Sequence, residues 1–169
     1  MKYRLQPAPT TDLSDANPGL ARQVTLQFQD YGARRVFAGR IRTVVTMEDT
    51  KLVQQLFREP GEGSICVVDG GGSLRSAMLG DVNGEILQRN GWAGIIINGA
   101  IRDADRLAEI DIGVKALGVT PVRSGKTGIG AIDVPVAFGG VLFLPGQCAY
   151  CDADGVVVSD EPIFSTDGQ

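Results

Sequence analysis

The stretch that decides the fold is GIIINGAIRD at residues 94–103. A short, continuous apolar run that begins at a glycine is typical of a strand buried on both faces of a sheet. The run ends abruptly in Arg102 and Asp103, a guanidinium beside a carboxylate. Buried charge is costly unless it is paired or binds a ligand, and ligands in α/β folds bind where strands end, so this pair is a candidate site. The alternative is a surface arginine followed by an aspartate that caps the next helix, and the sequence leaves both open.

Two segments beside this strand have helical spacing. Residues 81–90 predict a helix with Val82 and Ile86 facing inward and Leu87 as a further candidate. Residues 103–110 predict a shorter helix. Helices that alternate with strands in this way indicate an α/β fold.

The C-terminal part of the chain has a different pattern. Beyond Thr120 it is rich in short apolar segments, separated by glycine and proline at intervals typical of β-hairpins. We therefore expect a single compact α/β domain over residues 1–169, with a mixed sheet and a β-rich C-terminal part. We expect the tail after about residue 162 to be mobile.

The composition excludes several classes of protein. The net charge is −4, the isoelectric point is about 4.8, and acidic and basic residues are interspersed. Direct contact with nucleic acid is not expected because there is no basic stripe, although a protein partner in RNA metabolism stays open. No apolar run approaches the roughly 20 residues of a membrane span. The N-terminus has no hydrophobic signal segment, so we expect a cytoplasmic protein with no membrane contact.

The chain contains no histidine. This excludes Ser-His-Asp and Cys-His catalysis and histidine-based metal sites, so any metal must rely on oxygen ligands or on the three cysteines. Cys148 and Cys151 have the spacing of a redox or zinc pair, but a zinc site needs a second ligand pair and only Cys66 remains. We expect buried structural cysteines.

Two glycine-containing segments lie near the candidate pair in sequence. DGGGS at residues 69–73 lacks the lysine of a phosphate loop and the full dinucleotide fingerprint, which favours a structural turn. Gly80 precedes the predicted helix start at Asp81, where free backbone N–H groups and the helix dipole favour a carboxylate ligand. Asp81 is alternatively an N-cap of its own helix, and both roles can hold together.

These motifs, taken in order, resemble the RraA-like family. That family is named after a regulator of ribonuclease activity and also contains divalent-metal 4-hydroxy-4-methyl-2-oxoglutarate aldolases. The resemblance rests on DGGGS (69–73), LGD (79–81), NGWAG (90–94), INGAIRD (97–103) and DIGVKALG (111–118). It extends from DLSDA at 12–16 to VAFGGV at 136–141 and DG at 154–155, and so covers nearly the whole chain.

The resemblance implies a compact α/β fold related to the phosphohistidine swivelling β/β/α fold, assembled as a homotrimer with sites near the subunit boundaries. It implies that Asp103 binds a divalent cation, Mg²⁺ or Mn²⁺, and that Arg102 contacts a pyruvate-like 2-oxo acid. It also implies that the backbone N–H groups of residues Gly80–Asn83 hold the substrate carboxylate.

Two positions depart from the aldolase pattern of the family, which has a glycine, twenty residues, Arg-Asp, two residues and an acid. Counting back twenty residues from Arg102 reaches Asp81, with Gly80 one position earlier. The expected acid position holds Arg106, with Asp105 next to it. An arginine at this position argues against full aldolase activity.

The leading hypothesis is a metal-dependent lyase that forms a pyruvate enolate, which the metal and Arg102 stabilise. Cleavage of 4-hydroxy-4-methyl-2-oxoglutarate needs a base for the 4-hydroxyl group. Without histidine, that base is a carboxylate, for which Asp81 is the candidate, or a water held by the metal. Decarboxylation of oxaloacetate passes through the same enolate without such a base and is the activity expected to survive Arg106.

Two other functions are considered. One is a non-catalytic trimeric regulator that binds and inhibits a ribonuclease of the RNase E type, although such a regulator has no need for a metal ligand at Asp103. The other is a methyltransferase of quinone biosynthesis. It is disfavoured because the chain lacks the glycine-rich strand-turn-helix, followed by an acidic residue, that nucleotide-type cofactors need.

Overall fold

The computed structural model describes residues 4–165. In this part of the chain the helices are α1 (Thr10–Ala16), α2 (Lys51–Phe57), α3 (Asp81–Arg89) and α4 (Ala104–Leu107). The strands are β1 (Arg22–Gln23), β2 (Gln29–Asp30), β3 (Phe37–Val45), β4 (Ile65–Asp69), β5 (Gly94–Ile101), β6 (Gly113–Val119), β7 (Ala131–Ile132), β8 (Val136–Phe138), β9 (Val141–Phe143), β10 (Cys148–Asp152) and β11 (Gly155–Ser159). No helix in the described range is long and apolar enough to cross a membrane.

Nine strands form one mixed sheet. Their order is β1-β11-β10-β3-β4-β5-β6-β2, and β7 pairs with β3 outside this path. The pairs β3–β4, β4–β5 and β5–β6 are parallel, and the other pairs are antiparallel. Strands β8 and β9 form a separate antiparallel hairpin. The predicted α/β class, with a mixed sheet and a β-rich C-terminal part, is confirmed.

Strand β5 is buried on both faces, as its apolar run predicts. Ile95 and Ile97 belong to the core that contains the inner side chains of α2, α3 and α4. Ile96, which points the opposite way, belongs to a second core with Phe138 and Phe143 of the β8–β9 hairpin. Because helices cover one face of β5 and a hairpin covers the other, only its two ends meet solvent or a ligand.

The first turn of α3 differs from the helical prediction. Val82 is 65% exposed, so its predicted inward placement is wrong. Gly84 and Leu87 are the buried residues of this helix, and Ile86 packs partly buried against the core. The three-residue spacing from Gly84 to Leu87 sets the inner face, so Val82 falls outside it.

The segment after β5 is also less helical than predicted. Helix α4 takes up residues 104–107 of the expected 103–110. It starts one residue later than expected because Asp103 adopts a left-handed backbone conformation (φ 56°, ψ 40°) that a helix cannot include. Of the predicted mobile tail, residues 166–169 lie outside the described residues. A single domain over residues 1–169 stays a prediction.

The ring of Phe37 packs against two glycines on the parallel strands. A Cβ atom at Gly113 would lie 2.3 Å from Cδ1 of Phe37, and one at Gly94 would lie 2.5 Å from Cε2. Phe37 is 1% exposed, so the ring has no free space to move into. Both strands therefore need glycine where they face this ring.

We expect Gly113→Ala to lower the free energy of unfolding by about 1–3 kcal/mol, the usual cost of overpacking a core. Gly118→Ala on the same strand is the matched control, because its Cβ atom would lie at an ordinary 3.5 Å from Leu74. We expect the control to change stability by no more than about 0.5 kcal/mol. Urea unfolding followed by circular dichroism measures both, and equal stabilities would contradict the packing argument.

Candidate active site at the end of strand β5

The carboxyl end of β5 carries the two charged residues that the sequence singles out. The segment before α3 runs extended beside this end. The N–H of Met78 donates to the carbonyl of Ala100 at 2.8 Å, and the N–H of Arg102 donates to the carbonyl of Leu79 at 2.9 Å. Because α3 begins directly after this segment, backbone hydrogen bonds hold the start of the helix beside Arg102 and Asp103.

Gly80 leaves the space that these two side chains occupy. A Cβ atom at this position would lie 2.6 Å from Oδ2 of Asp103 and 3.3 Å from Nε of Arg102. The backbone of Gly80 is extended (φ −136°, ψ −176°), a conformation that any residue adopts. A side chain here would displace Asp103 and Arg102, so glycine at this position serves their placement and not the backbone conformation.

Arg102 and Asp103 form a loose ion pair. Nε of Arg102 lies 3.6 Å from Oδ2 of Asp103, and the two side chains are 41% and 36% exposed. The same Oδ2 accepts a long hydrogen bond of 3.3 Å from the N–H of Asp81. These contacts orient both charges but leave much of their hydrogen-bonding capacity open to a ligand.

The pair borders a cavity of about 430 Å³. Its walls come from the start of α2, the segment before α3 with the first turn of that helix, the end of β5, and the segment of residues 123–126. Every site residue expected from the sequence lines this cavity, namely Gly80, Asp81, Val82, Asn83, Arg102 and Asp103. Val82, whose exposure departs from the helical prediction, is thus one of the residues that line the cavity.

The carboxylate of Asp81 is already occupied by contacts within the protein. Its Oδ1 accepts a hydrogen bond of 2.8 Å from the N–H of Val82. Its Oδ2 lies 2.9 Å from Nε of Arg106, the arginine that stands in the expected acid position. The first N–H groups of α3 therefore hold carboxylates of this chain, those of Asp81 and Asp103, where a substrate carboxylate was expected.

Asp81 stands between two cavities. The second has a volume of about 520 Å³ and lies between α3 and α4, where Arg106, Glu85 and Glu109 line it together with Asp81. Arg106 reaches Asp81 from this second cavity and does not line the first. The Asp81 carboxylate is therefore paired with a cation that lines the second cavity.

Sequence reasoning missed the basic wall of the first cavity. Arg123 and Lys126 line it, together with Ser124 and Gly125 between them. A signal was available, since RSGK at residues 123–126 combines two cations with two small residues. No local sequence pattern connects this segment to Arg102. The two come together because Ala77 pairs both with Ala100, near the end of β5, and with Arg123.

A buried carboxylate anchors this basic wall. Asp49, 2% exposed, accepts hydrogen bonds from the N–H and Oγ1 of Thr127 and, at 3.1 Å, from the N–H of Gly128. It also accepts one of 3.0 Å from the N–H of Lys51 at the start of α2. Burial alone would raise the pKa of Asp49, but these donors outweigh it and hold that pKa below its ordinary value.

Comparison with known proteins identifies the family. The family model described as "RraA-like: Aldolase/RraA" matches residues 10–158. The chain belongs to the RraA-like family. It is 48% identical over 154 residues to an Ectopseudomonas mendocina protein provisionally named 4-hydroxy-4-methyl-2-oxoglutarate aldolase, covering 91% of this chain and 95% of that protein.

Solved structures of similar proteins carry two further names. One is described as an S-adenosylmethionine:2-dimethylmenaquinone methyltransferase from Geobacillus kaustophilus (45% identity, TM-score 0.90, covering 91% of this chain and 96% of that one). The other is described as the RNA-processing inhibitor RraA from Thermus thermophilus (43% identity, TM-score 0.89, covering 93% and 95%). The RraA-like resemblance inferred from the motifs is confirmed.

The remaining motifs of this RraA-like chain are structural. Cys66, Cys148 and Cys151 are free and buried, and burial raises the pKa of each thiol, which disfavours the reactive thiolate. In the DGGGS turn, Oδ1 of Asp69 accepts hydrogen bonds of 3.0 Å from the N–H of Gly71 and from Nδ2 of Asn98.

Within residues 4–165 no group of three or more acidic or cysteine side chains is placed to hold a metal ion.

The lowered pKa of Asp49 predicts a pH-dependent contribution to stability. A carboxyl group with a depressed folded-state pKa stabilises the fold above its unfolded pKa of about 4, and this contribution is lost as the pH falls through the folded value. We expect Asp49→Asn to lower the free energy of unfolding by about 2 kcal/mol at pH 7 and by much less near pH 2.

Asp15→Asn, at an exposed position of α1, is the control for losing one carboxylate. Urea unfolding of both variants across this pH range makes the measurement. If Asp49→Asn lowers the free energy of unfolding as much in acid as at neutral pH, the argument that Asp49 stabilises the fold as an ionised carboxylate is contradicted.

Proposed function

We propose that this protein is a divalent-metal-dependent lyase that cleaves pyruvate-derived 2-oxo acids through a pyruvate enolate. Its proposed substrates are oxaloacetate, by decarboxylation, and 4-hydroxy-4-methyl-2-oxoglutarate, by aldol cleavage. The observation that supports this most directly is the Arg102–Asp103 pair, half-exposed at the end of β5 in a cavity of about 430 Å³. The names of the curated relatives agree with this chemistry.

Asp103 is the residue proposed to hold the cation. Its Oδ2 has only the two loose contacts described above, and its Oδ1 has no hydrogen-bond partner within the described residues. One carboxylate suits Mg²⁺ or Mn²⁺, because such ions keep several waters and take further oxygen ligands from the substrate. When bound, the cation supplies Lewis-acid stabilisation of negative charge on the substrate oxygens.

Arg102 is proposed to stabilise the enolate. In oxaloacetate the C3–C4 bond breaks, its electron pair forms the C2–C3 double bond, the C2 oxygen becomes negative and CO₂ leaves. A solvent proton on C3 then completes pyruvate. A guanidinium in reach of the C2 oxygen binds this transition state more strongly than the neutral carbonyl, which is the condition for catalysis.

The substrate carboxylate is proposed to lie at the start of α3, beside the backbone of residues Gly80–Asn83. Gly80 lets a ligand approach the backbone there, and the helix dipole favours an anion. Since Asp81 and Asp103 already accept from the first N–H groups, a bound substrate replaces or joins these contacts.

Aldol cleavage is the less favoured of the two reactions. It needs a base for the 4-hydroxyl group, and the proposed base is Asp81. Arg106 holds this carboxylate at 2.9 Å and stands where an acid is expected. We therefore place oxaloacetate decarboxylation first.

A second proposed function is that of a homotrimeric regulator that docks on a ribonuclease. Its support is the likeness to the structure described as an RNA-processing inhibitor. This role needs neither Asp103 nor the cavity, so activity assays separate it from the lyase.

The methyltransferase description of the other neighbour finds no support in the site, because the glycine turn after β4 leads into an extended segment and not into a helix. A cytoplasmic location is proposed on the sequence alone.

The first test follows pyruvate release from oxaloacetate and from 4-hydroxy-4-methyl-2-oxoglutarate, each with MgCl₂ or with EDTA, after subtraction of the rate without protein. We expect Mg²⁺-dependent turnover that Asp103→Asn lowers at least about 100-fold, the usual effect of losing a group that stabilises the transition state. Asp105→Asn is the control, because Asp105 is an exposed carboxylate two residues away that does not line the cavity. If the folded wild-type protein releases no pyruvate from either substrate, the lyase is wrong and ribonuclease binding becomes the question.

The second test concerns the position of Arg106. We expect Arg106→Glu to raise cleavage of 4-hydroxy-4-methyl-2-oxoglutarate at least roughly tenfold relative to oxaloacetate decarboxylation, because an acid can then assist proton transfer. Arg106→Gln releases Asp81 without adding an acid. A gain in both variants assigns the effect to Asp81, a gain in Arg106→Glu alone assigns it to the new acid, and no gain in either contradicts the argument.

A further inference from the structure

We propose that Arg123 and Lys126 form a second anion subsite in the cavity beside Arg102, which selects 2-oxo acids that carry a second carboxylate. The inference rests on the proposed lyase function and names the substrate class for that site. It assigns a specificity role to two residues that belong to none of the motifs considered above.

Neither cation has an ion-pair partner in the described part of the chain, residues 4–165. Neither Arg123 nor Lys126 has an acidic side chain within 4 Å among the described residues, whereas Arg102 and Arg106 each pair with an aspartate. Arg123 and Lys126 nevertheless line the cavity that contains Asp103. A guanidinium and an ammonium on a cavity wall without a carboxylate of their own are suited to bind one from a ligand.

The charges of the cavity leave a positive excess. Arg102, Arg123 and Lys126 line it against two carboxylates, those of Asp81 and Asp103. Arg106, which lines the second cavity, pairs with Asp81. A bound divalent cation adds further positive charge. A ligand with two negative charges therefore balances this cavity better than a ligand with one.

The backbone of the basic segment is fixed on both sides. At its start, the N–H of Ala77 donates to the carbonyl of Val122 at 2.8 Å, and the buried Oγ of Ser124 donates to the carbonyl of Ala77 at 2.8 Å. At its end, the N–H of Gly125 donates to the carbonyl of Glu48 at 2.8 Å.

The buried Asp49 then holds the next two residues of the chain, Thr127 and Gly128. The side chains of Arg123 and Lys126 thus project from a pre-organised backbone, which reduces the ordering cost of binding.

The same hydrogen bonds decide what kind of anion this segment binds. GKTG at residues 125–128 has N–H groups that would suit a phosphate, but the N–H groups of Thr127 and Gly128 are taken by Asp49. With the N–H of Gly125 also donating to the carbonyl of Glu48, three of the four N–H groups are engaged, and the charged donors of this segment are side chains. Two side-chain cations fit the distal carboxylate of a substrate whose 2-oxo end lies at Arg102 and Asp103.

The test compares two inert ligands by isothermal titration calorimetry in MgCl₂ at low ionic strength. Pyruvate has one carboxylate. 2-Oxoglutarate has a second, but it lacks both the carboxylate beta to the oxo carbon and the 4-hydroxyl group that the proposed reactions need. We expect wild-type protein to bind 2-oxoglutarate at least about tenfold more tightly than pyruvate, since a charge-assisted hydrogen bond contributes about a factor of 10 to 100.

Arg123→Gln and Lys126→Gln should each weaken 2-oxoglutarate binding about tenfold or more and leave pyruvate binding within about twofold. Arg58→Gln is the charge-matched control, because Arg58 is exposed at the end of α2 and does not line the cavity. We expect it to change neither affinity. Circular dichroism and thermal unfolding of each variant establish that the fold is intact.

The outcomes separate the subsite from the proposed function. Wild-type protein that binds 2-oxoglutarate no more tightly than pyruvate, or variants that weaken both ligands equally, overturn the subsite. Oxaloacetate turnover measured on the same samples reports on the lyase independently. A dicarboxylate preference without turnover supports the subsite and rejects the lyase, whereas turnover without the preference does the reverse.

Discussion

The site depends on the extended segment of residues 77–80, which runs alongside the end of strand β5. Its backbone pairs with Ala100 and Arg102 on one side and with Val122 on the other. Since α3 follows it directly, this segment fixes the start of that helix, the charged pair and the basic wall relative to one another. Gly80 completes the arrangement, because a side chain there would collide with the carboxylate of Asp103 at 2.6 Å.

Two aspartates of the cavity differ in their availability. Asp103 is loosely held by Arg102 at 3.6 Å, whereas Asp81 is held by Arg106 at 2.9 Å and by the N–H of Val82. Because its contacts are loose, Asp103 can exchange them for a cation, and Arg102 can exchange its contact for a substrate. The contacts of Asp81 tie its carboxylate down and remove freedom that a general base needs. The difference is the physical basis for placing decarboxylation before aldol cleavage.

Similar RraA-like proteins carry three different descriptions at 43–48% identity to this chain: an aldolase, a methyltransferase and an RNA-processing inhibitor. The shared fold does not choose among them, because function resides in the site and not in the architecture. The site of this chain is distinguished by individual groups. These are above all a half-exposed carboxylate beside a guanidinium, and two cations of the same cavity that have no ion-pair partner among the described residues. Each of these can be changed without touching the buried cores on either side of β5.

The sequence by itself determined the α/β class, the doubly buried strand β5 and the placement of Arg102 and Asp103 at its end, because these follow from local apolar runs and from what must come after them. It also identified the family through short contiguous motifs that occur in order along nearly the whole chain. Only the tertiary structure decided that Val82 lines the cavity, that Arg106 holds Asp81, and that Arg123 and Lys126 line the same cavity as Arg102. These facts depend on backbone pairing and ion pairs between residues more than twenty positions apart, or on where a helix begins relative to its core, and no local pattern encodes either.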